Sequence, residues 1–428
     1  VRFPQAEKMS AAQQPPAVPT AAQLRTFQPG MTGLDMLGVA FEACEGRGVS
    51  DIQLRSKRPV YIETNHGMEC LDFLGALSDL AMLEIYKELI RRQEQASHGF
   101  GGEDVNMRQE DKIAQALVRF KESRVDDFSC EGIPFADNTR VSGRLRIQAH
   151  LSASGLGITC RILSDTIPSL AGLGIDPDTG ESLQRAANKR AGLCLVTGPT
   201  GSGKSTTLAA LIDWLRMSSA KHIVTVEDPI EYRYPHDMEH PNYPGHRCMA
   251  PSVVTQQEVG RDLASYRQGL KDVLRKAPHV ILLGEIRDRD AMDTCLEAAQ
   301  TGHLVFSTLH TTGAVKTMGR ILEMYPSERQ SAVLSRLSEM LIFIYSQGLL
   351  KGNGGRRVLT YEFLQNNDDA VASAINNYAS GSNSLEDVIR RAGNIAWDDN
   401  LRNLLNKGVI SEQVFEATRM NRSDEDEV

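Results

Sequence analysis

The sequence predicts an α/β fold built on a parallel sheet, with a smaller α+β module before it and a short helical region after it. Three observations carry this. Between about Gly174 and Phe363, short β-branched or apolar runs alternate with stretches of helical spacing, the pattern of a sheet wound with crossover helices. One such run, Leu193–Thr197, is followed by G-P-T-G-S-G-K-S-T (198–206) and then by a helical pattern over Thr206–Met217. From about Leu34 to Leu163 the pattern is mixed instead of alternating.

In the mixed region, Asp51–Leu54 and Val60–Glu63 read as short strands, Leu77–Gln95 and Arg108–Lys121 as helices, and Val141–Ile147 and Leu156–Leu163 as paired strands. In the alternating region the strands after Leu193–Thr197 are His222–Val226, Val280–Leu283 and Leu304–Thr308, each ending in a polar cluster. A hairpin follows, Gln347–Leu350 with Val358–Phe363, turning through Gly352–Gly355. Residues 368–420 read as a small helical bundle. The expected boundaries are a disordered Ala/Gln/Pro-rich arm (1–33), the α+β module (34–165), the α/β domain (174–365), the helical region (366–420) and an acidic tail (421–428).

Composition narrows the function. The chain has 428 residues, 41% of them hydrophobic and 24% charged, ordinary values for globular domains. No apolar run reaches the roughly 20 residues of a membrane span, and a basic-then-apolar leader is not seen, so a cytosolic protein is expected. A net charge of −8 and 6% aromatics speak against a nucleic-acid translocase, which needs a basic, aromatic-bearing channel. The seven cysteines are scattered without a C-x-x-C pair and read as reduced.

The segment 198–206 is a complete phosphate-binding loop, and it implies a nucleoside triphosphate with Mg²⁺. Gly198, Gly201 and Gly203 let the backbone turn its N–H groups toward phosphates, with Pro199, Thr200 and Ser202 between them. Lys204 supplies a charge near the β- and γ-phosphates, Ser205 a hydroxyl for Mg²⁺, and Thr206 opens the helix whose positive end faces the anion.

Three later strand ends add candidate chemistry. In T-V-E-D-P-I-E-Y (225–232), Glu227, Asp228 and Glu231 suit a metal ion or its waters; a solvated strand end is the alternative. In V-I-L-L-G-E-I-R (280–287), Glu285 is the candidate that orients an attacking water, while Gly284 stands where a metal-side Asp is usual. In G-H-L-V-F-S-T-L-H-T-T (302–312), His310 at the strand's exit is placed to contact a γ-phosphate, or is simply structural. His236, His240, His246 and Cys248 have zinc-binding side chains, but their spacing matches no common site, and the prolines and glycine among them imply an irregular loop.

Taken together, these clusters resemble the PilT/GspE-type secretion ATPase superfamily: 198–206 its Walker A, Glu227–Glu231 its Asp box, Val280–Glu285 its G-E form of Walker B, and Ser307–Thr312 its His box. Gln256–Asp262 (Q-Q-E-V-G-R-D), Ser50-Asp51-Ile52, Phe128–Glu131 and Gly143–Arg146 match further elements, although Gln53 replaces a family His. The resemblance, over about residues 36–365, implies a RecA-like P-loop NTPase domain preceded by a PAS-like α+β domain. It also implies ATP hydrolysis with Mg²⁺, a homohexamer, and a place on the cytosolic face of the inner membrane beside secretion, conjugation or pilus machinery, with no direct nucleic-acid contact. It puts Arg144, Arg146 and Arg161 at positions whose side chains reach the nucleotide; the alternative is surface charge on alternating strand positions. Ala372–Asn377 (A-S-A-I-N-N) lacks the pilus-retraction signature A-I-R-N-L-I. The loop Pro235–Val254 is also long, which makes the chain look more like the DotB/TraJ branch of type IVB secretion and conjugative transfer. The rivals are a PilT-like retraction ATPase, a RecA-like nucleic-acid translocase, and a regulatory module that binds nucleotide without turnover.

Overall fold

The computed structural model describes residues 31–44, 47–64, 67–96, 109–131, 144–163, 166–240, 242–243, 245–380, 384–391 and 393–420. The arm up to residue 30, the tail 421–428 and the first residues of the strand expected at Val141–Ile147 lie outside them. The chain divides into two compact units between Leu163 and Ser164.

The first unit runs α1 (Gly33–Cys44), β1 (Asp51–Arg55), β2 (Val60–Thr64), β3 (Gly67–Leu71), α2 (Asp79–Ala96), α3 (Gln109–Ser123), β4 (Val125–Glu131), β5 (Arg144–Ser152) and β6 (Gly155–Leu163). Its six strands form one sheet in the order β3-β2-β1-β6-β5-β4, with every neighbouring pair antiparallel. Ile52, Leu54 and Ile62 bury one face of the sheet in a core shared with Tyr86 and Leu89 of α2. The Tyr86 hydroxyl donates to Asp126 Oδ2 at 2.6 Å, which satisfies a phenol otherwise enclosed by the core.

The second unit continues with α4 (Pro177–Ala187), β7 (Gly192–Thr197), α5 (Lys204–Ser218), β8 (His222–Glu227), β9 (Asp237–Glu239), β10 (Arg247–Met249), β11 (Val253–Glu258), α6 (Tyr266–Val273), β12 (Val280–Leu283), α7 (Arg289–Gln300), β13 (Leu304–Leu309), α8 (Ala314–Glu323), α9 (Ser327–Met340), β14 (Leu341–Lys351), β15 (Arg357–Gln365), α10 (Asp369–Asn376), α11 (Ser384–Ile389), α12 (Trp397–Asn406) and α13 (Glu412–Thr418). Its seven-stranded sheet has the order β11-β8-β12-β13-β7-β14-β15, parallel except for the last strand.

The strands that join this sheet's centre are buried on both faces, which is why they read as continuous apolar runs. Along β7, Leu193 and Leu195 enter one core with α7, α8 and α9, whereas Cys194 and Val196 enter another with α4 and α5. Parallel pairing brings the carboxyl ends of β7, β8, β12 and β13 to one edge, where ligands of open α/β sheets bind.

Between β8 and β11 the chain is not wholly irregular. Asp237–Glu239 and Arg247–Met249 pair antiparallel, and Arg247 forms an ion pair with Asp237 across the strands. Three-residue strands are too short to leave a period-2 signal among prolines. In the C-terminal region, α10 and α11 bury Val371, Ile375, Leu385 and Ile389 in the main core, and α12 lies on β15 with Trp397, Leu401 and Ile410 in a satellite cluster.

Candidate active site

The loop after β7 takes its shape from three glycines in conformations that L side chains rarely adopt: Gly198 at φ 143°, Gly201 at 77° and Gly203 at 86°. At Gly198 space is decisive as well, since a Cβ would come within 2.1 Å of the Gln347 carbonyl oxygen. Lys204, the first residue of α5, is buried. Its ammonium donates to the main-chain oxygens of Gly198 and Pro199, each at 2.9 Å. Burial lowers its pKa, and the nearby carboxylates of Glu285 and Glu231 oppose that shift. A buried cation bonded to neutral carbonyls at a helix N-terminus fits an incoming phosphate. Ser205 is exposed beside it, free of the packing that buries Thr207, as a hydroxyl for Mg²⁺ must be.

Glu285 follows β12 and reaches the same loop. Its Oε2 lies 3.1 Å from His310 Nε2, and His310 Nδ1 lies 3.4 Å from Thr200 Oγ1. An Nε2–H tautomer satisfies both contacts: the ring donates to Glu285 and accepts from the Thr200 hydroxyl. Glu285 also pairs with Arg287, whose guanidinium stands 3.6 Å from Asp228 and 5.4 Å from the centre of the Tyr266 ring. Tyr266 crowds Gly284: a Cβ there would meet the Tyr266 hydroxyl at 2.8 Å and the Val226 carbonyl at 3.3 Å, so a side chain at this position requires the tyrosine to shift.

The acidic segment after β8 is held from β11. Gln256 Nε2 donates to Glu227 Oε1 at 3.2 Å and to the Tyr232 carbonyl at 2.8 Å, while its Oε1 accepts from Tyr234 N–H at 3.1 Å. Glu258 accepts from Ile230 N–H at 3.0 Å. Thr225 donates to Glu227 at 2.6 Å, and Tyr232 donates to Thr206 Oγ1 at 3.1 Å, tying the segment to α5. Gln256 and Glu258 of Q-Q-E-V-G-R-D thus hold the acidic segment in place.

Sequence reasoning passed over the polar residues at the back of the site. Gln347 on β14 is 1% exposed; it donates to the Ser202 carbonyl at 2.6 Å and accepts from the Thr207 hydroxyl at 2.7 Å. Its one available signal was an amide inside the apolar run I-F-I-Y-S-Q-G-L-L. Its neighbour Ser346 faces Glu362 across the β14–β15 ladder. The two accept the Gly313 and Ala314 N–H groups at 2.7 and 2.6 Å, fixing the start of α8 just beyond the His box.

Burial raises the Glu362 pKa, against the backbone hydrogen bonds from Ala314 and Trp397. The folded state therefore holds this proton at a pH where the unfolded chain has released it, so the contribution to stability falls as pH rises from the usual carboxylate range through the folded pKa. Urea unfolding of Glu362→Gln against the parent, across that interval, is expected to show a stability difference that moves in the variant's favour with rising pH. A pH-independent difference would refute it.

The three arginines belong to the first unit. Arg144 is buried on β5; Arg146, opposite Arg161 in register, pairs with Asp127 at 3.0 Å; and Arg161 on β6 pairs with Asp51 at 2.9 Å. Among the described residues no helix is long and apolar enough to cross a membrane, and no group of three or more His, Cys, Asp or Glu stands as a metal cluster.

Residues 136–404 match the family model described as type II/IV secretion system protein. The type IV pilus retraction ATPase PilT of Pseudomonas aeruginosa is 40% identical over 245 residues, 57% of this chain and 64% of the relative. A twitching motility protein of Neisseria gonorrhoeae is 37% identical over 280 residues, 65% of this chain and 70% of the relative. The match thus spans somewhat under two thirds of the first relative's length. The crystal structure of the retraction motor PilT with bound ADP superposes with a TM-score of 0.70 at 30% identity, covering 92% of this chain and 98% of the other. The Legionella pneumophila ATPase DotB superposes with a TM-score of 0.71 at 24% identity, covering 92% and 97%, a likeness of fold.

Proposed function

Because the chain belongs to the type II/IV secretion system protein family, we propose that it is an Mg²⁺-dependent ATPase, a motor that turns hydrolysis into mechanical work on a pilus or secretion apparatus. The observation that carries this reading is the Thr200–His310–Glu285 chain beside the buried Lys204. It joins a phosphate-binding loop to a carboxylate able to orient water. Lys204 and the loop amides hold the triphosphate, Ser205 would hold the metal with Asp228 reaching it through water, and Glu285 orients the nucleophile. Glu227 and Glu231 tune the charge around them. Bound Mg²⁺ would supply positive charge against the charge that develops on the phosphates.

The motor acts as a homohexamer, peripheral to the inner membrane on its cytosolic side, and binds no nucleic acid directly. Among the apparatus types, the identities of 40% and 37% to a retraction ATPase and a twitching motility protein favour pilus retraction. The β9–β10 hairpin and the sequence Ala372–Asn377 favour type IVB secretion or conjugative transfer, the second reading.

In this motor Arg144, Arg146 and Arg161 are the arginines that offset charge developing on the nucleotide. Steady-state ATPase assays with Mg²⁺ are expected to show turnover in the parent and a loss of about 10²-fold or more in kcat in at least one of the three alanine variants, with ATP affinity retained. Parent turnover in all three would remove the arginines from the mechanism. Mass measurement with and without ATP is expected to give six copies.

A further inference from the structure

The phosphate loop's shape depends on a residue about 140 positions away. Gln347 fixes both sides of the loop's exit: its Nε2–H reaches the Ser202 carbonyl at 2.6 Å, and its Oε1 takes the Thr207 hydroxyl at 2.7 Å. The main chain of β14 also lies against the entrance, its Gln347 carbonyl oxygen filling the space of a Gly198 Cβ. Both ends of the loop therefore rest on one residue, and that residue is 1% exposed.

The bond to Ser202 has a directional consequence. In a planar trans peptide the C=O and the following N–H point in opposite directions. Pinning the Ser202 carbonyl to Gln347 therefore turns the Gly203 N–H away from β14. Gly203, at φ 86°, has no Cβ to hold that peptide by packing, and its left-handed conformation leaves the peptide free to flip once the carbonyl is released. If the peptide flipped, the loop would present a carbonyl oxygen where phosphate binding needs an N–H.

We infer that Gln347 is a positioning residue for the triphosphate: its side-chain amide sets the Ser202–Gly203 peptide so that the Gly203 N–H faces the phosphates. This rests on the ATPase reading above. Gln347 touches no phosphate itself; it acts through the loop. The hydroxyl of Thr207 has a second purpose here, since by donating to Oε1 it orients the amide and leaves Nε2 aimed at Ser202.

The test uses the full chain, with Gln347→Met and Thr207→Val beside the parent. A fluorescent ATP analogue gives Kd, steady-state assays give KM and kcat, and thermal melting without nucleotide gives the folded state. The expected result for Gln347→Met is a rise of about tenfold in Kd and KM, with kcat within about threefold of the parent. Thr207→Val is expected to show the same split more weakly. A purely structural role gives another pattern: fewer active molecules lower the apparent kcat and leave KM unchanged, and that pattern overturns the inference, as does parent-like KM in a folded Gln347→Met. Should Gln347→Met not fold, Thr207→Val keeps the amide but removes the hydroxyl that orients it, and its KM decides. A parent that neither binds nor hydrolyses ATP defeats the ATPase reading itself, an outcome seen before any variant is compared.

Discussion

Glu285→Gln is expected to bind ATP as the parent does and to lose hydrolysis by about 10²-fold or more, measured by phosphate release against equilibrium binding of an ATP analogue. The carboxylate is placed by three constraints. The end of β12 delivers it beyond Gly284, a position crowded by Tyr266; His310 approaches one oxygen and Arg287 the other. An amide of the same size keeps the packing, but it offers one acceptor oxygen instead of two and carries no charge to orient water. Binding survives because the loop's own groups, led by Lys204, make the phosphate contacts. The His310 ring donates to Glu285 in the tautomer described above, and the glutamine oxygen still accepts that bond, so the variant isolates the charge from the geometry. Retained turnover in Glu285→Gln would move the water-orienting role to the acidic segment after β8, where Glu231 also acts on the charge of Lys204.

This site was legible in the sequence where the fold made it so. Central parallel strands are apolar on both faces, and they stop where the sheet's edge meets solvent. The expected strand Val280–Leu283 is the observed β12 to the residue, and β7, β8 and β13 differ from expectation by one residue at an end. A motif tied to a strand end is therefore placed in space once the strand is recognised. Edge strands escaped for the same physical reason in reverse. In β3 only Leu71 of five residues is buried, and in β4 the described side chains of Val125–Cys130 bury Phe128 and Cys130 alone. β11 pairs on one side, so V-V-T-Q-Q-E shows no period, although its Gln256 and Glu258 clamp the acidic segment.

The supporting residues were harder still. Gln347, Ser346 and Glu362 work through contacts across tens to more than a hundred positions, and nothing local in a strand says which polar residue faces a loop. Gly284 is the instructive case. The family pattern makes the glycine familiar, and in this fold the Tyr266 hydroxyl, arriving from α6, takes up the space that a side chain there would enter. Resemblance supplied the residue, and packing shows what stands against it.

Lys204→Ala is expected to weaken ATP binding by about 10- to 100-fold, the scale of a charge-assisted contact, and to abolish measurable turnover at ordinary ATP concentrations. The Gly198 and Pro199 carbonyls then lose their donor inside the loop, so the free protein is altered as well as its affinity. Lys204→Arg is expected to rescue poorly, because a planar fork does not occupy the site of a compact ammonium. The same residue predicts a pH effect. Burial lowers the Lys204 pKa below that of an exposed lysine, while Glu285 and Glu231 hold it up. Affinity for ATP needs the protonated form, so Kd is flat below the folded pKa and rises above it. The rise begins at a lower pH than an exposed lysine would give. Removing the Glu285 charge removes part of the support, so in Glu285→Gln the alkaline rise in Kd is expected to shift to lower pH. A binding titration against pH on parent and variant checks this. An unmoved alkaline limb would mean that the two side chains do not share a field, and the site would then be two motifs side by side rather than one electrostatic unit.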